Sequence, residues 1–198
     1  YGIVIPTGVA TLRRWLPELL EEANNGISDV LRPWIAHAYQ QLCQLDESLE
    51  YYTQEIQRES KRDDRSLRLQ SIPGFGPIVA SAFASHVGDG KAYRRGRDVS
   101  ASLGLVPRQH STGGKTVLLG ISKRGDTYMR SLLVHGARAV VRAAAQKDDK
   151  LSQWIKRVQA KRGYNKTTVA LANKLARMGW VVLTRHTVYQ AEPRNAIN

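Results

Sequence analysis

Seven apolar residues, Ile35, Ala38, Leu42, Leu45, Leu49, Tyr52 and Ile56, follow one another at steps of 3, 4, 3, 4, 3 and 4. An apolar repeat of seven sustained over three heptads is the mark of a coiled-coil seam. It demands one long helix, and the flanking residues place that helix at residues 28–66. Ser28 suits the N-cap, Asp29 suits the positive end of the helix dipole, and Pro33 sits near enough to the start to be tolerated. A helix folded onto its own domain usually carries a wider apolar stripe. The pattern therefore favours a coiled coil, formed either between chains or with a second helix of the same chain, and a homo-oligomer is expected.

The charge divides the chain at the end of that helix. Residues 1–70 hold 8 Lys and Arg against 11 Asp and Glu, whereas residues 71–198 hold 22 against 6, and the whole carries +13. A net +16 over the second part repels itself unless a polyanion neutralises it, so this half is expected to bind nucleic acid. With 42% apolar residues in 198, the chain can build a core. It has no run of 18 apolar residues, which argues against a membrane partner, and no signal peptide opens it. One cysteine, Cys43, rules out a disulfide scaffold and a cysteine zinc site, and fits a reducing, cytoplasmic setting. Tyr1 in place of Met points to a piece of a longer protein.

The expected architecture is mainly α: a connector over residues 1–27, the coiled-coil helix over 28–70, a compact helical domain over 71–190 and a flexible tail over 191–198. Within the connector, Thr11 is the expected cap of a helix over residues 12–23, with Pro17 inside it. Further helices are predicted over residues 77–87, 98–103 (capped by Asp98), 126–146 (capped by Asp126), 151–161 and 165–183. A strand is predicted over residues 116–121.

Four segments of the basic half carry chemistry. Residues 71–80 read Ser-Ile-Pro-Gly-Phe-Gly-Pro-Ile-Val-Ala, the pattern of a helix-hairpin-helix. Gly74 and Gly76 allow unusual backbone geometry and close approach to a phosphate, and the helix beginning at Pro77 offers free N–H groups to it. Such a grip reads backbone, not sequence; a plain structural turn is the other reading. Next, Lys91, Arg94, Arg95 and Arg97 surround Tyr93, enough cations to neutralise phosphates while Tyr93 stacks or packs. Third, residues 104–125 form a long glycine-rich connection carrying Arg108, His110, Lys115, Lys123 and Arg124, with Arg130 just beyond. At its centre, Ser111 precedes Thr112, Gly113 and Gly114. A serine on such a turn can present its hydroxyl beside anion-binding N–H groups. It can serve as a nucleophile or as an ordinary phosphate-binding serine. The segment lacks the Walker A order, and His110 is adjacent to Ser111, a poor position for its base. Fourth, Arg130, Arg138 and Arg142 share a helix face. No histidine or carboxylate spacing fits a metal site.

Taken together, residues 71–184 resemble the C-terminal domain of the serine-type, bridge-RNA-guided insertion-sequence transposases. The resemblance rests on Ser-Ile-Pro-Gly-Phe-Gly-Pro, Val-Gly-Asp, Ser-Leu-Gly-Leu-Val-Pro-Arg, the Ser111 turn, Gly-Ile-Ser-Lys-Arg-Gly-Asp-x-x-x-Arg and Ala-Leu-Ala-Asn-Lys-Leu-Ala-Arg, in that order. The preceding helix resembles the coiled coil of the same proteins. What the resemblance implies is a DNA transposase acting with a guide RNA, bacterial and nucleoid-associated. Its nucleophile would be Ser111, with Ser122 the weaker rival, and the contacts to nucleic acid would come from the glycines and cations named above. It further implies a magnesium-binding acidic domain in another part of the protein, with no cofactor held by this chain. A non-catalytic helix-hairpin-helix binding module and a coiled-coil scaffold are the alternative classes.

Overall fold

The computed structural model describes residues 2–112 and 115–191, without the side chains of Ser111, Thr112, Lys115 and Thr116. Gly113, Gly114 and residues 192–198 lie outside the described residues. The chain divides into two compact units, Tyr1–Gln54 and Glu55–Asn198.

In the first unit, α1 spans Val9–Glu21 and α2 begins at Leu31. The expected cap Thr11 lies inside α1, which starts after Gly8, and Pro17 is accommodated within the helix. Arg32 donates from Nη1 to the Leu20 carbonyl (2.8 Å) and from Nη2 to that of Glu22 (3.0 Å), satisfying acceptors that the end of α1 leaves open. Arg13 holds Asp46 by donating from Nε and Nη2 to its two carboxylate oxygens, and this side-chain hydrogen bonding raises the Arg13 pKa. Little else is enclosed: Leu19 and Ile27 are the buried apolar residues of this unit among those described.

Four heptad positions of α2, Ala38, Leu45, Leu49 and Tyr52, are exposed, while Ile35, Leu42 and Ile56 are half-buried. Leu45, Leu49 and Tyr52 are 61%, 64% and 63% exposed.

Helix α2 spans Leu31–Ser60, shorter than the expected 28–66. Asp63 ends the run by capping a separate helix, α3 (Asp64–Gln70), accepting from the Arg65 amide at 3.1 Å. The second unit then continues with α4 (Pro77–Val87), α5 (Gly96–Ser102), strands β1 (Pro107–Thr112) and β2 (Lys115–Ile121), α6 (Thr127–Ala143), a short 3₁₀ turn (Ala144–Gln146), α7 (Lys150–Arg162) and α8 (Tyr164–Thr184). The fold is mainly α. Asp126 caps α6 as expected, accepting from the Met129 amide at 2.9 Å. Helix α5 begins two residues before Asp98, which lies in its first turn, not at its cap.

Helix α8 organises this unit. Its small residues, Ala172, Ala176 and Gly179, are buried and let α8 pack against α3, α4, α5, α6 and α7. Phe83, Leu103, Leu133, Ile155, Leu171 and Leu175 are fully enclosed, each contributing about 1.5–3 kcal/mol of burial. Phe75 meets Phe83 edge to face with centroids 5.3 Å apart. Asn173 ties two neighbours down, donating to the Leu105 carbonyl at 3.0 Å and accepting from the Ser100 hydroxyl at 3.2 Å through its own carbonyl.

Candidate nucleic-acid interface

The first element of the site is the turn between α3 and α4. Ile72 and Phe75 anchor it in the core, with the Phe75 amide donating to the Ile72 carbonyl at 3.0 Å. Its two glycines do different work. Gly74 has φ +90°, and a Cβ there would lie 3.0 Å from both the Gly136 carbonyl oxygen and Val140 Cγ2. Conversely, a Cβ on Gly136 would strike the Gly74 carbonyl oxygen. The missing side chain of Gly74 is thus accounted for by the close approach of the turn to α6. Gly76 has an ordinary φ of −75° as the N-cap of α4, and nothing would touch a Cβ placed on it. It is exposed and Pro77 follows at the first helical position. The first intrahelical bond runs from the Ala80 amide to the Gly76 carbonyl, which leaves the preceding amides to the helix end.

The loop between α4 and α5 carries the second set of cations. Lys91 pairs with Asp89 (3.0 Å) and Arg95 with Asp98 (3.4 Å), while Arg94 and Arg97 are exposed with no ion pair among the described residues. The Lys91 amide and ammonium hold the Asp89 carboxyl below its ordinary pKa. Tyr93 packs on the core, with its phenol oxygen accepting from the Ser102 hydroxyl at 3.4 Å. Of the two roles open to Tyr93, packing is the one seen.

Within residues 104–125, expected as a long glycine-rich connection with one strand over residues 116–121, two strands form a β-hairpin. Strands β1 and β2 pair antiparallel, Ser111 with Thr116 and Thr112 with Lys115. The two residues between are Gly-Gly, a composition that two-residue hairpin connections favour. Near the base the register shifts between Pro107, paired with Ile121, and Gln109, paired with Leu118. Leu119 and Gly120 therefore stand opposite the single residue Arg108. A bulge of this kind bends and twists a ribbon. Ser111 thus has its backbone in the penultimate pair of the ribbon; its side chain and that of Lys115 lie outside the description.

The hairpin is rooted firmly. The Lys123 amide donates to the Gly104 carbonyl (3.1 Å) and the Ser122 amide to that of Val106 (2.8 Å). Gly104 has φ +66° and Gly125 φ +96°, and a Cβ on either would enter backbone atoms of Arg124 or Ser102. Arg130 is committed to this root, donating to the Leu103 carbonyl and the Thr127 hydroxyl, both at 3.0 Å. It latches the hairpin to α6. Arg108, Lys123 and Arg124 are exposed along the ribbon and make no ion pair among the described residues. The rival Ser122 accepts from the Arg124 amide at 3.4 Å. Arg138 is half-buried and Arg142 exposed on α6.

Among the described residues no group of three His, Cys, Asp or Glu side chains could hold a metal ion. No described helix is long and apolar enough to cross a membrane. Lys174 and Arg177 of α8, part of the last quoted sequence block but given no binding role there, join Arg95 and Arg97 around a cavity. The sequence signal was faint: cations spaced three apart on a helix otherwise rich in small residues.

Residues 66–153 match the family described as Transposase IS116/IS110/IS902. Over 190 residues the chain is 41% identical to the "Transposase for insertion sequence element IS1111A" of Coxiella burnetii, spanning 96% of this chain and 52% of that protein. It is 41% identical over 189 residues to the "Transposase for insertion sequence element IS1328" of Yersinia enterocolitica, covering 96% and 56%. A "Probable family 20 transposase" of Pseudomonas aeruginosa is 53% identical over 136 residues, 69% of this chain and 40% of that protein. The chain spans about half the length of the curated relatives it matches.

Proposed function

We propose that the chain is the coiled-coil and catalytic-serine part of a DNA transposase. In this reading the chain grips the backbone of DNA, and of a guide RNA, through the helix-hairpin-helix turn at Gly76 and the cations Lys91, Arg94, Arg95, Arg97, Arg108, Lys115, Lys123 and Arg124. Gly74 and Arg130 support the grip from beneath by holding the turn and the hairpin. Ser111 is the nucleophile. Its oxygen attacks a phosphodiester phosphorus; the P–Oγ bond forms, the bond to one deoxyribose oxygen breaks, and that oxygen departs with a proton. The serine proton needs an acceptor.

One observation carries the reading: the family match embraces the hairpin on which Ser111 sits. Cations along that ribbon would stabilise the charge that builds on phosphorus oxygens. The described residues do not fit a magnesium site. The acidic, magnesium-binding half is proposed to belong to the portion of such proteins that this chain does not span. The seam of α2 is proposed to join copies of the protein.

The test is covalent trapping. A protein extended to the length of the relatives, given guide RNA, DNA and magnesium, should yield a denaturant-resistant protein–DNA adduct. Ser111→Ala should abolish it while changing affinity by only about 1 kcal/mol, the worth of one hydrogen bond. Thr112→Ala and Ser122→Ala should keep it. An adduct that survives Ser111→Ala removes Ser111 from the role. Salt-sensitive binding with no adduct from any variant leaves a binding module.

A further inference from the structure

The cavity of about 660 Å³ in the second unit lies where the start of α5, one face of α8 and residues 187–190 converge. Gly96 explains the convergence. It is buried, and a Cβ on it would lie 3.1 Å from the Arg177 Cα and carbonyl oxygen, so α5 and α8 touch backbone to backbone there. Arg95 and Arg97 flank that glycine, and Lys174 and Arg177 approach from α8. Residues 174, 178 and 181 lie one turn apart on one helix face. The cavity is therefore basic at its rim and apolar where Met178, Val181 and Val188 line it.

Its parts are held in place. Trp180 donates from its indole nitrogen to the Gly90 carbonyl at 3.0 Å. The ammonium of Lys174 lies 5.0 Å from the centre of the Trp154 ring. Residues 187–190 are pinned by the Tyr189 amide, which donates to the Ser71 hydroxyl at 2.7 Å. Asp98 stands beside the rim, where Arg95 takes it up, and burial, followed by the nearby Asp149 carboxylate, pushes the Tyr189 phenol pKa up. Arg97, Lys174 and Arg177 make no ion pair among the described residues.

We propose that this cavity receives one unstacked nucleotide of a single-stranded nucleic acid, its base against Met178, Val181 and Val188 and its flanking phosphates on Arg97, Lys174 and Arg177. The volume lies within the roughly 300–1,000 Å³ of small-ligand sites. A duplex backbone needs cations alone, without an apolar recess, and a stacked base pair offers no free base to fill one. Single-strand sites combine cations with apolar or aromatic surfaces for bases, the combination found here. The inference rests on the nucleic-acid-enzyme reading above and adds to it a site remote in sequence from the hairpin.

The experiment measures fluorescence anisotropy of the 198-residue chain with labelled single-stranded oligothymidylate, an abasic strand of equal charge, and a duplex of equal length. Val188→Trp, at an exposed position, fills the recess. It should weaken oligothymidylate binding by about tenfold, the scale of one lost base contact, and leave the duplex unchanged. The abasic strand should bind the parent about as weakly as oligothymidylate binds Val188→Trp, a comparison that needs no variant to fold. Lys174→Ala with Arg177→Ala should lower the salt slope for oligothymidylate by about 1.4, two phosphates' worth for a single strand. Equal binding of abasic and base-bearing strands overturns the inference, as does a loss in Val188→Trp shared by the duplex. If the parent binds no probe at all, the nucleic-acid reading falls with it; if it binds all three alike, the inference alone falls.

Discussion

Gly136→Ala sets helix propensity against packing, and the two predict opposite signs. Gly136 lies inside α6, where alanine should gain about 1 kcal/mol over glycine. The added Cβ would strike the Gly74 carbonyl oxygen. Overfilling a packed contact costs about 1–3 kcal/mol, occasionally more. The upper end applies here, because the obstacle is main chain in a turn fixed by Ile72 and Phe75 and not the end of a flexible side chain. The net expectation is a destabilisation of about 1–2 kcal/mol. For a chain of this size that lowers the melting temperature by about 2–8 °C. Thermal unfolding followed by circular dichroism reads it directly. A melting temperature equal to or above the parent's would refute the close contact between the turn and α6, and with it the assignment of Gly74 to packing.

Other outcomes follow from the same structure. Gly76→Val has room for its side chain, so it should leave the melting temperature within about 3 °C, a change of roughly 1 kcal/mol, and weaken binding of all nucleic-acid sequences alike; loss for one sequence only would contradict a backbone grip. Leu45→Asp with Leu49→Asp puts unpaired charges into the proposed seam, and sedimentation should show smaller oligomers with the second unit still folded; unchanged sedimentation rejects the interchain coiled coil. The Ser152 hydroxyl, then the Ser152 and Leu151 amides, hold the Asp149 carboxyl below the usual range. Its cap on α7 therefore contributes fully above the unfolded value of about 3.9 and is lost as pH falls through the lower folded value. Asp149→Ala should cost about 1 kcal/mol at neutral pH and less in acid; a cost independent of pH would exclude the ionised cap.

Helices α4 and α6 were legible through the boundary residues Pro77 and Gly88 and Asp126, and α7 and α8 were read to within one residue at each end. The end of α2 was not, since Lys61, Arg62 and Asp63 do not interrupt a polar helix on propensity alone, and Asp63 acts only through its contact with the Arg65 amide. Strand β1 hid for a different reason. Pro-Arg-Gln-His-Ser-Thr has no apolar alternation, because its described residues stand out from the core and bury no face. Candidate cations were readable as a population but not by role. Arg130 looked like its neighbours Arg138 and Arg142, yet the Leu103 carbonyl claims it, 27 residues away. Gly74 looked like Gly76 until Gly136 came beside it. Such roles depend on partners distant in the chain, and no local pattern encodes them.

The central position of α8 bears on how the second unit comes into being. Leu171, Leu175 and Leu183 pack among helices that precede them on the ribosome. Until this helix emerges, the faces of α3 to α7 that it will cover are without their partner, and the hairpin's root lacks the bond from Asn173 to the Leu105 carbonyl. The unit is therefore expected to complete its folding only after α8 has been made. A basic surface that becomes organised only once α8 has been made is kept from engaging a polyanion while the protein is still a nascent chain.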